Sequence, residues 1–136
     1  MIQPVTDALI DALEAQCPEY AVDRARSLPD YEFTHPKAAI VPVLGTVDWG
    51  SGPTLANDHR AVRPNVAIHT FTHGLYADPG AYELLADVEA AVEGLAVEGT
   101  AAHPGGAMRI QKQMFERAKP GGVTIYVTLV QLSEDD

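Results

Sequence analysis

Hydrophobic and polar residues alternate most clearly in residues 65–73. Val66, Ile68, Thr70 and Thr72 alternate there with Ala67, His69, Phe71 and His73. A period of two is typical of a β-strand whose two faces have different neighbours. The sequence therefore predicts a strand that Gly74 ends.

A helical period follows this strand. Apolar residues recur at a spacing of three or four, at Ala81, Leu84, Leu85, Val88, Ala91, Val92 and Leu95. We expect the helix to begin at Asp78, whose carboxylate can accept from the free amides of the first turn. Pro79 suits the first helical position because it lacks an amide that would go unpaired there. The pattern predicts an amphipathic helix that packs on a sheet.

The N-terminal part of the chain predicts one more helix and two strands. Residues 5–16 have helical spacing of apolar residues, with Thr6 as the expected cap and Pro18 after the last turn. Residues 19–26 predict a short edge strand, and residues 27–37 an irregular connection. The apolar run at 37–44 predicts a strand in which Pro42 belongs at an edge or a bulge.

The remaining segments predict two hairpins. Residues 45–64 predict a long β-hairpin arm, with one strand running through Trp49, the other returning from Leu55, and the glycine-rich residues 50–53 at the tip. Residues 98–107 predict a loop. Residues 108–117 and 123–132 predict two strands joined by a Pro-Gly-Gly turn. The last strand has the strongest β pattern and should be central or well covered.

This order of elements predicts an α+β fold. Helices and strands do not alternate regularly, which disfavours parallel βαβ winding. We expect a mixed or antiparallel β-sheet with two α-helices packed on one face and the long hairpin arm. A length of 136 residues corresponds to a single domain, residues 1–136.

Composition narrows the class of protein. With 46% hydrophobic and 21% charged residues, the chain has the composition of an ordinary soluble domain. It shows no signal-peptide pattern and no apolar run near the roughly 20 residues of a membrane span. We therefore expect a cytoplasmic product without a membrane partner. The single Cys17 has no disulfide partner within the chain and is expected to be buried.

The charge distribution is uneven. A formal net charge of −10 argues against direct binding of a phosphate backbone, which needs clustered Lys and Arg. Both predicted helices are acidic, whereas four bases, Arg109, Lys112, Arg117 and Lys119, lie close together in one predicted strand. A solvated strand face explains these bases without a partner. The alternative is a surface that attracts an acidic one, including a second copy of the chain.

The search for catalytic chemistry finds no motif. His69 and His73 share a strand face but lie about 13 Å apart, too far to bind one metal ion. The sequence has no G-x-S-x-G elbow and no glycine-rich nucleotide loop. We therefore predict no catalytic residue, no cofactor, no metal site and no enzyme. A small-molecule enzyme or binding domain, with a polar pocket around His69, His73 or Tyr126, remains the alternative.

The hairpin arm carries the other candidate interface residues. Trp49 is either a core residue or an aromatic anchor at a protein interface, since it lies beside the glycine-rich tip. Leu55 and His59 lie further along the same arm. We predict a protein interface formed by these three residues together with the four clustered bases.

The order of elements, the run NVAIHTFTHGLYADPGAYELLADVEAAVEGL and the ending KPGGVTIYVTLVQL resemble the tail terminator proteins of Mu-like bacteriophages. They resemble more distantly the lambda-type minor tail protein that caps the tail tube. The resemblance covers nearly the whole chain, without a short signature motif. It implies a structural virion protein that forms a homohexameric ring on the head-proximal end of the tail tube, ends tube polymerisation and provides a surface for head-tail joining.

The resemblance also implies partners and a location. The partners are further copies of the chain, the tail tube protein and the head-tail connector or neck protein, while DNA passes through the lumen without specific binding. The implied location is the virion tail, and the host cytoplasm during assembly. A head-tail connector or neck protein is the alternative within the same class.

Overall fold

The computed structural model describes residues 2–23, 32–49, 62–76, 79–98 and 105–134. The described residues form two helices, α1 (Ile2–Gln16) and α2 (Ala81–Val92). They also form six strands, β1 (Ala21–Val22), β2 (Ala38–Trp49), β3 (Val62–Thr72), β4 (Ala96–Val97), β5 (Gly106–Lys119) and β6 (Val123–Glu134).

The six strands form one mixed sheet in the order β1-β2-β3-β6-β5-β4. β1 is parallel to β2, and the other neighbours are antiparallel. The predicted α+β class is thereby confirmed. The prediction of a central last strand is also confirmed, because β6 lies between β3 and β5.

Both helices pack on one face of the sheet, as predicted. Leu9 and Leu13 of α1 and Leu84 and Val88 of α2 are fully buried, and they form one core with sheet residues that include Ile68. Complete burial of an aliphatic side chain contributes about 1.5–3 kcal/mol. The helices are therefore held by their apolar stripes, and their polar sides face solvent.

The face of the sheet opposite the helices, the outer face, carries a smaller core. Ala39, Val41, Phe71 and Ile125 are buried there, and the ring of Phe33 lies with its centroid 5.8 Å from that of Phe71. Residues directly opposite each other on neighbouring strands share a face. The register therefore assigns His69 and Val127 to the outer face as well.

Both predicted helix starts are wrong. α1 begins at Ile2, with Pro4 in its first turn, where a missing amide breaks no helical hydrogen bond. Thr6 is therefore inside the helix and is not its cap. α2 begins at Ala81 with Gly80 as an extended N-cap that makes no side-chain hydrogen bond. A Cβ at Gly80 would collide with the Leu75 carbonyl, so close packing of the preceding loop determines the start. Asp78 lies outside the described residues.

Strand boundaries also differ from the prediction. The predicted strand at 37–44 and the first strand of the predicted arm form one continuous strand, β2, and β5 begins at Gly106, two residues before its predicted start. The two-residue β4 lies just before the predicted loop and was not predicted. It pairs with Gly106 and Ala107 at the start of β5. Within residues 19–26, the described strand is limited to Ala21–Val22.

Pro42 occupies a position that needs no hydrogen-bond donor toward β3. The carbonyl of Ile40 accepts from the Asp23 amide at 2.9 Å, so the main chain of Ile40 faces the β1 side. Main-chain direction alternates along a strand, so Pro42 faces the same side, beyond the end of β1. This agrees with the predicted edge-like position for Pro42.

Candidate interaction surfaces

Four aromatic rings form a continuous exposed cluster, the aromatic patch, which consists of Tyr76, Tyr82, Tyr126 and Phe115. The ring centroids of Tyr76 and Tyr82 are 5.4 Å apart, those of Tyr82 and Tyr126 are 6.0 Å apart, and those of Tyr126 and Phe115 are 5.6 Å apart. All three pairs meet edge to face at 71–77°, the geometry that aligns a ring edge with a neighbouring π-face. Each ring is therefore held in position by contact with at least one other ring of the patch.

Three different parts of the fold bring these rings together. Tyr76 lies in the loop between β3 and α2, and Tyr82 lies in the first turn of α2 next to the buried Ala81. Phe115 and Tyr126 are directly opposite each other on β5 and β6. They share the helix-side face because Tyr126 pairs with Thr70, whose neighbour Ile68 two residues away belongs to the helix-side core.

The patch is open to solvent. Tyr76 is 86% exposed, Phe115 54% and Tyr82 45%. A side-chain hydrogen bond with Tyr82, and then burial, raise the pKa of Tyr126, so the Tyr126 hydroxyl is neutral at physiological pH. Exposed aromatic rings with hydroxyl groups are the commonest anchors of protein interfaces. Tyr76, Tyr82 and Phe115 were not predicted as site residues, although Tyr82 falls outside the apolar stripe of its helix.

The register assigns all four predicted bases of β5 to the outer face, but Arg109 makes a contact that the other three do not make. Arg109 approaches the carboxylate of Glu93, with Nη1 to Oε1 at 3.5 Å. Arg117 lies opposite Ile125 and therefore on the outer face, and Lys119 places its Nζ 5.8 Å from the centroid of the Phe71 ring there. Lys112 is exposed and pairs with Leu129. Three of the four bases thus form a basic stripe, Lys112, Arg117 and Lys119, on the outer face.

Glu116 lies within this stripe, and His69 holds its carboxylate. The Nδ1 of His69 lies 2.8 Å from Oε2 of Glu116, at hydrogen-bond distance, and His69 is 8% exposed. Glu116 is at a β-bulge between Phe115 and Arg117, which lets its side chain reach across β6. His73 instead contacts the carbonyl oxygen of His35 at 3.2 Å.

The predicted arm is present in its described part. Thr46, Val47, Asp48 and Trp49 pair with Asn65, Pro64, Arg63 and Val62 in turn. β6 pairs with β3 from Asn65 onward, so the arm extends beyond its neighbour strand among the described residues. Trp49 ends β2 opposite Val62. Leu55 and His59 lie outside the described residues, so their predicted interface roles stay predictions.

An apolar cavity of about 300 Å³ lies at the base of the arm. Its lining residues are Gly45, Thr46, Asn65, Val66, Ala67, Gln111, Leu129 and Val130. The cavity adjoins two β-bulges, one at Gly45 and one at Gln111, where the register shifts by one residue. The Nδ2 of Asn65 donates to Oγ1 of Thr46 at 3.0 Å, so two polar groups of the lining bond to each other. The rest of the lining is mostly apolar.

The residues of the alternative polar pocket are divided between the two faces of the sheet. Tyr126 lies on the helix side of the sheet, whereas His69 lies on the outer face. Over the described ranges, no three His, Cys, Asp or Glu side chains are grouped so that they could bind a metal ion. Cys17 is buried, as predicted, and burial followed by Asp87 raises its pKa to about 11. No helix within the described ranges is long and apolar enough to cross a membrane.

Together these features define a two-layer α+β domain that exposes aromatic and charged contact surfaces. A solved chain from the virion of a native gene transfer agent particle has a similar fold, with a TM-score of 0.51 and 12% sequence identity. The similarity covers 88% of this chain and 81% of that chain. No family model matches the sequence, and no curated protein matches it. At this identity the likeness concerns the fold.

Proposed function

We propose that this protein is a structural virion protein that acts as a tail terminator. In this proposal, copies of the chain form a ring on the head-proximal end of the tail tube, end its polymerisation and provide the surface for head-tail joining. The ring is a hexamer, its location is the virion tail, and the protein is not an enzyme. The observation that carries the proposal is the fold shared over 88% of the chain with a virion chain.

The contact surfaces support an assembly role. Soluble monomers seldom expose a cluster of ordered aromatic rings, and such clusters commonly mark protein interfaces. The aromatic patch lies on the helix side, and the basic stripe lies on the outer face. A subunit of a ring uses two different surfaces to contact its two neighbours, and a third to contact the tube.

A head-tail connector or neck protein remains the second candidate, because it would use the same kinds of surface. The two functions differ in the first partner that the protein binds. A terminator binds tubes made of the cognate tail tube protein in the absence of head proteins. A connector binds the head portal and leaves tube length unchanged.

Tube assembly tests the proposal. Purified protein is added while the cognate tail tube protein polymerises, and tube lengths and ends are measured by electron microscopy. We expect shorter tubes that carry a ring at one end, with a bound mass near six times the 14.6 kDa subunit. Tubes that grow to the same length with and without the protein would exclude the terminator function.

A double substitution in the aromatic patch tests whether this patch contacts the tube or a neighbouring subunit. Replacing Tyr76 and Phe115 with Ser removes two ring pairs at the surface, so it should lower the free energy of unfolding by about 1–3 kcal/mol and leave the chain folded. We expect the same variant to bind tubes at least tenfold more weakly, because aromatic anchors dominate interface energies. The matched control exchanges the rings conservatively, Tyr76→Phe with Phe115→Tyr, and should cap tubes normally. Normal capping by the Ser variant would show that the patch is not a tube or ring contact.

A further inference from the structure

Charge is segregated by layer in this subunit. α1 and α2 contain six acidic residues and no Lys or Arg, namely Asp7, Asp11, Glu14, Glu83, Asp87 and Glu89. Asp11, Glu14, Glu83 and Glu89 are exposed on the side of the helices that faces away from the sheet. We call these four residues the acidic helical surface. Within the two helices, no positive side chain neutralises it.

The outer face of β5 has the opposite sign. Lys112 and Arg117 are exposed and lie on the same face as Lys119. Glu116 is the one acidic residue of β5, and its carboxylate lies 2.8 Å from Nδ1 of His69 and 3.9 Å from Nε of Arg117, so it offsets one of the three positive charges. The stripe therefore keeps a net positive charge on the face opposite the acidic helical surface. The acidic and basic residues, which are separate in the sequence, therefore give the two faces of one subunit opposite charge.

An apolar residue lies between the bases. Met114 pairs with Val127 and so faces outward between Lys112 and Arg117, and it is 42% exposed. Individual exposed ion pairs contribute little to affinity, and they mainly set orientation and association rate. Met114 supplies the apolar contact that such a surface needs, since its flexible thioether adapts to the partner.

We propose that the basic stripe of one copy binds the acidic helical surface of a second copy, so that subunits associate head to tail. This inference rests on the proposed ring function and identifies the two surfaces that meet. Two acidic helical surfaces repel each other, and so do two basic stripes, which disfavours a symmetric dimer through either face. A heterologous contact between two different faces can repeat from copy to copy, and it closes into a ring when the rotation allows.

Charge reversal tests this contact. The Lys112→Glu/Arg117→Glu variant makes the stripe acidic, and the Asp11→Lys/Glu89→Lys variant makes the helical surface partly basic. Sedimentation equilibrium at about 0.1 mM protein measures the dissociation constant for self-association. We expect the wild-type chain to associate in about 50 mM salt and to dissociate in about 500 mM salt, because screening weakens exposed charge pairs. Each reversed variant should associate at least tenfold more weakly than the wild type.

Rescue distinguishes a contact from damage to the fold. A chain with all four substitutions has an acidic stripe and carries positive charge at the two exchanged helical positions, so the substituted positions again have opposite charge, and we expect it to regain at least part of the association. An equimolar mixture of the two reversed variants should also associate, because each offers the surface that the other needs. The control Lys37→Glu/Arg109→Glu changes the net charge as much as the stripe variant does. Lys37 and Arg109 are paired within the subunit, with Glu19 and Glu93, so this control should associate as the wild type does.

The outcomes separate this inference from the function it rests on. A wild-type chain that remains at 14.6 kDa in low salt, or reversed variants that associate normally, would overturn the head-to-tail contact. A four-substitution chain that folds but fails to associate would also overturn it. Tube capping by the wild type in these cases would leave the terminator proposal standing. Association without tube capping would instead refute the terminator proposal and keep the contact.

Discussion

The thiol of Cys17 lies just beyond the end of α1, where its amide donates to the Leu13 carbonyl at 2.8 Å. Burial raises its pKa from 9.0 to about 11, and the nearby Asp87 adds to the rise. The folded protein therefore keeps the thiol proton between pH 9 and 11, where the unfolded chain loses it. Stability from this group is present below pH 9 and is lost as the pH rises toward 11.

Urea unfolding at several pH values checks this prediction. From pH 8 to pH 11 the free energy of unfolding should fall by about 2 kcal/mol more in the wild type than in Cys17→Ala. The comparison cancels the contribution of other titrating groups, including Tyr20, whose pKa is also raised. Equal pH dependence in the two proteins would contradict the assignment to Cys17.

The His69–Glu116 hydrogen bond gives a second prediction for single residues. Its atoms lie 2.8 Å apart, and the His69 side chain is 10% exposed. Removing the carboxylate in Glu116→Ala leaves a buried ring nitrogen without this partner, so we expect a loss of about 1–2 kcal/mol in the free energy of unfolding. Glu116→Gln keeps an acceptor oxygen and should lose less than half as much. Chemical denaturation measures both, and equal losses would exclude the hydrogen bond as the cause.

Sequence pattern predicted the elements whose signal is local. The alternation in β3 and β6 and the apolar stripes of α1 and α2 depend on burial of one face, so their existence and packing could be predicted. The start of α2 could not be predicted, because close packing of Gly80 against Leu75 decides it. β4 depends on tertiary contacts, including the Gly94 amide donating to the Met108 carbonyl at 2.7 Å.

The candidate surfaces were predictable only in part. The basic residues of β5 could be grouped from sequence because they are close in the chain. The register, which two bulges in β5 shift, assigns all four bases to the outer face, and the contact of Arg109 with Glu93 distinguishes this base from the other three. The aromatic patch depends on the same register, which places Phe115 opposite Tyr126. No local sequence pattern predicts a bulge there, so the aromatic patch could be identified only from the structure.

The hairpin arm gives a prediction at the level of the element. Trp49 and Val62 are directly opposite each other at the end of the described arm, so a two-residue Asn-Gly turn can join them in place of residues 50–61. The shortened arm lies outside the helix-side core, and the free energy of unfolding should change by less than about 1 kcal/mol. We expect tube capping to be lost, because the removed residues include Leu55 and His59. Normal capping by this variant would show that the arm tip is not a contact.

On the scale of the whole molecule, net charge and local charge favour different partners. The basic stripe alone could contact about three phosphates. For three contacts, the logarithm of the DNA-binding constant falls with the logarithm of the salt concentration with a slope near −2.7. A net charge of −10 opposes this attraction over the whole surface. The stripe is therefore better matched to an acidic protein surface than to DNA, which agrees with the proposed ring, through which DNA would pass without binding.

Gel-shift experiments with linear duplex DNA test this balance. We expect no wild-type complex at about 150 mM salt, because the general repulsion outweighs the few phosphate contacts at that ionic strength. Replacing Asp11, Glu14, Glu83 and Glu89 with Lys removes most of the negative charge, and this variant should bind DNA in a salt-dependent manner. Both proteins contain the same basic stripe, so a difference between them must come from the helices. Tight, salt-sensitive DNA binding by the wild type would instead make the stripe a nucleic-acid surface and oppose passage of DNA through a ring.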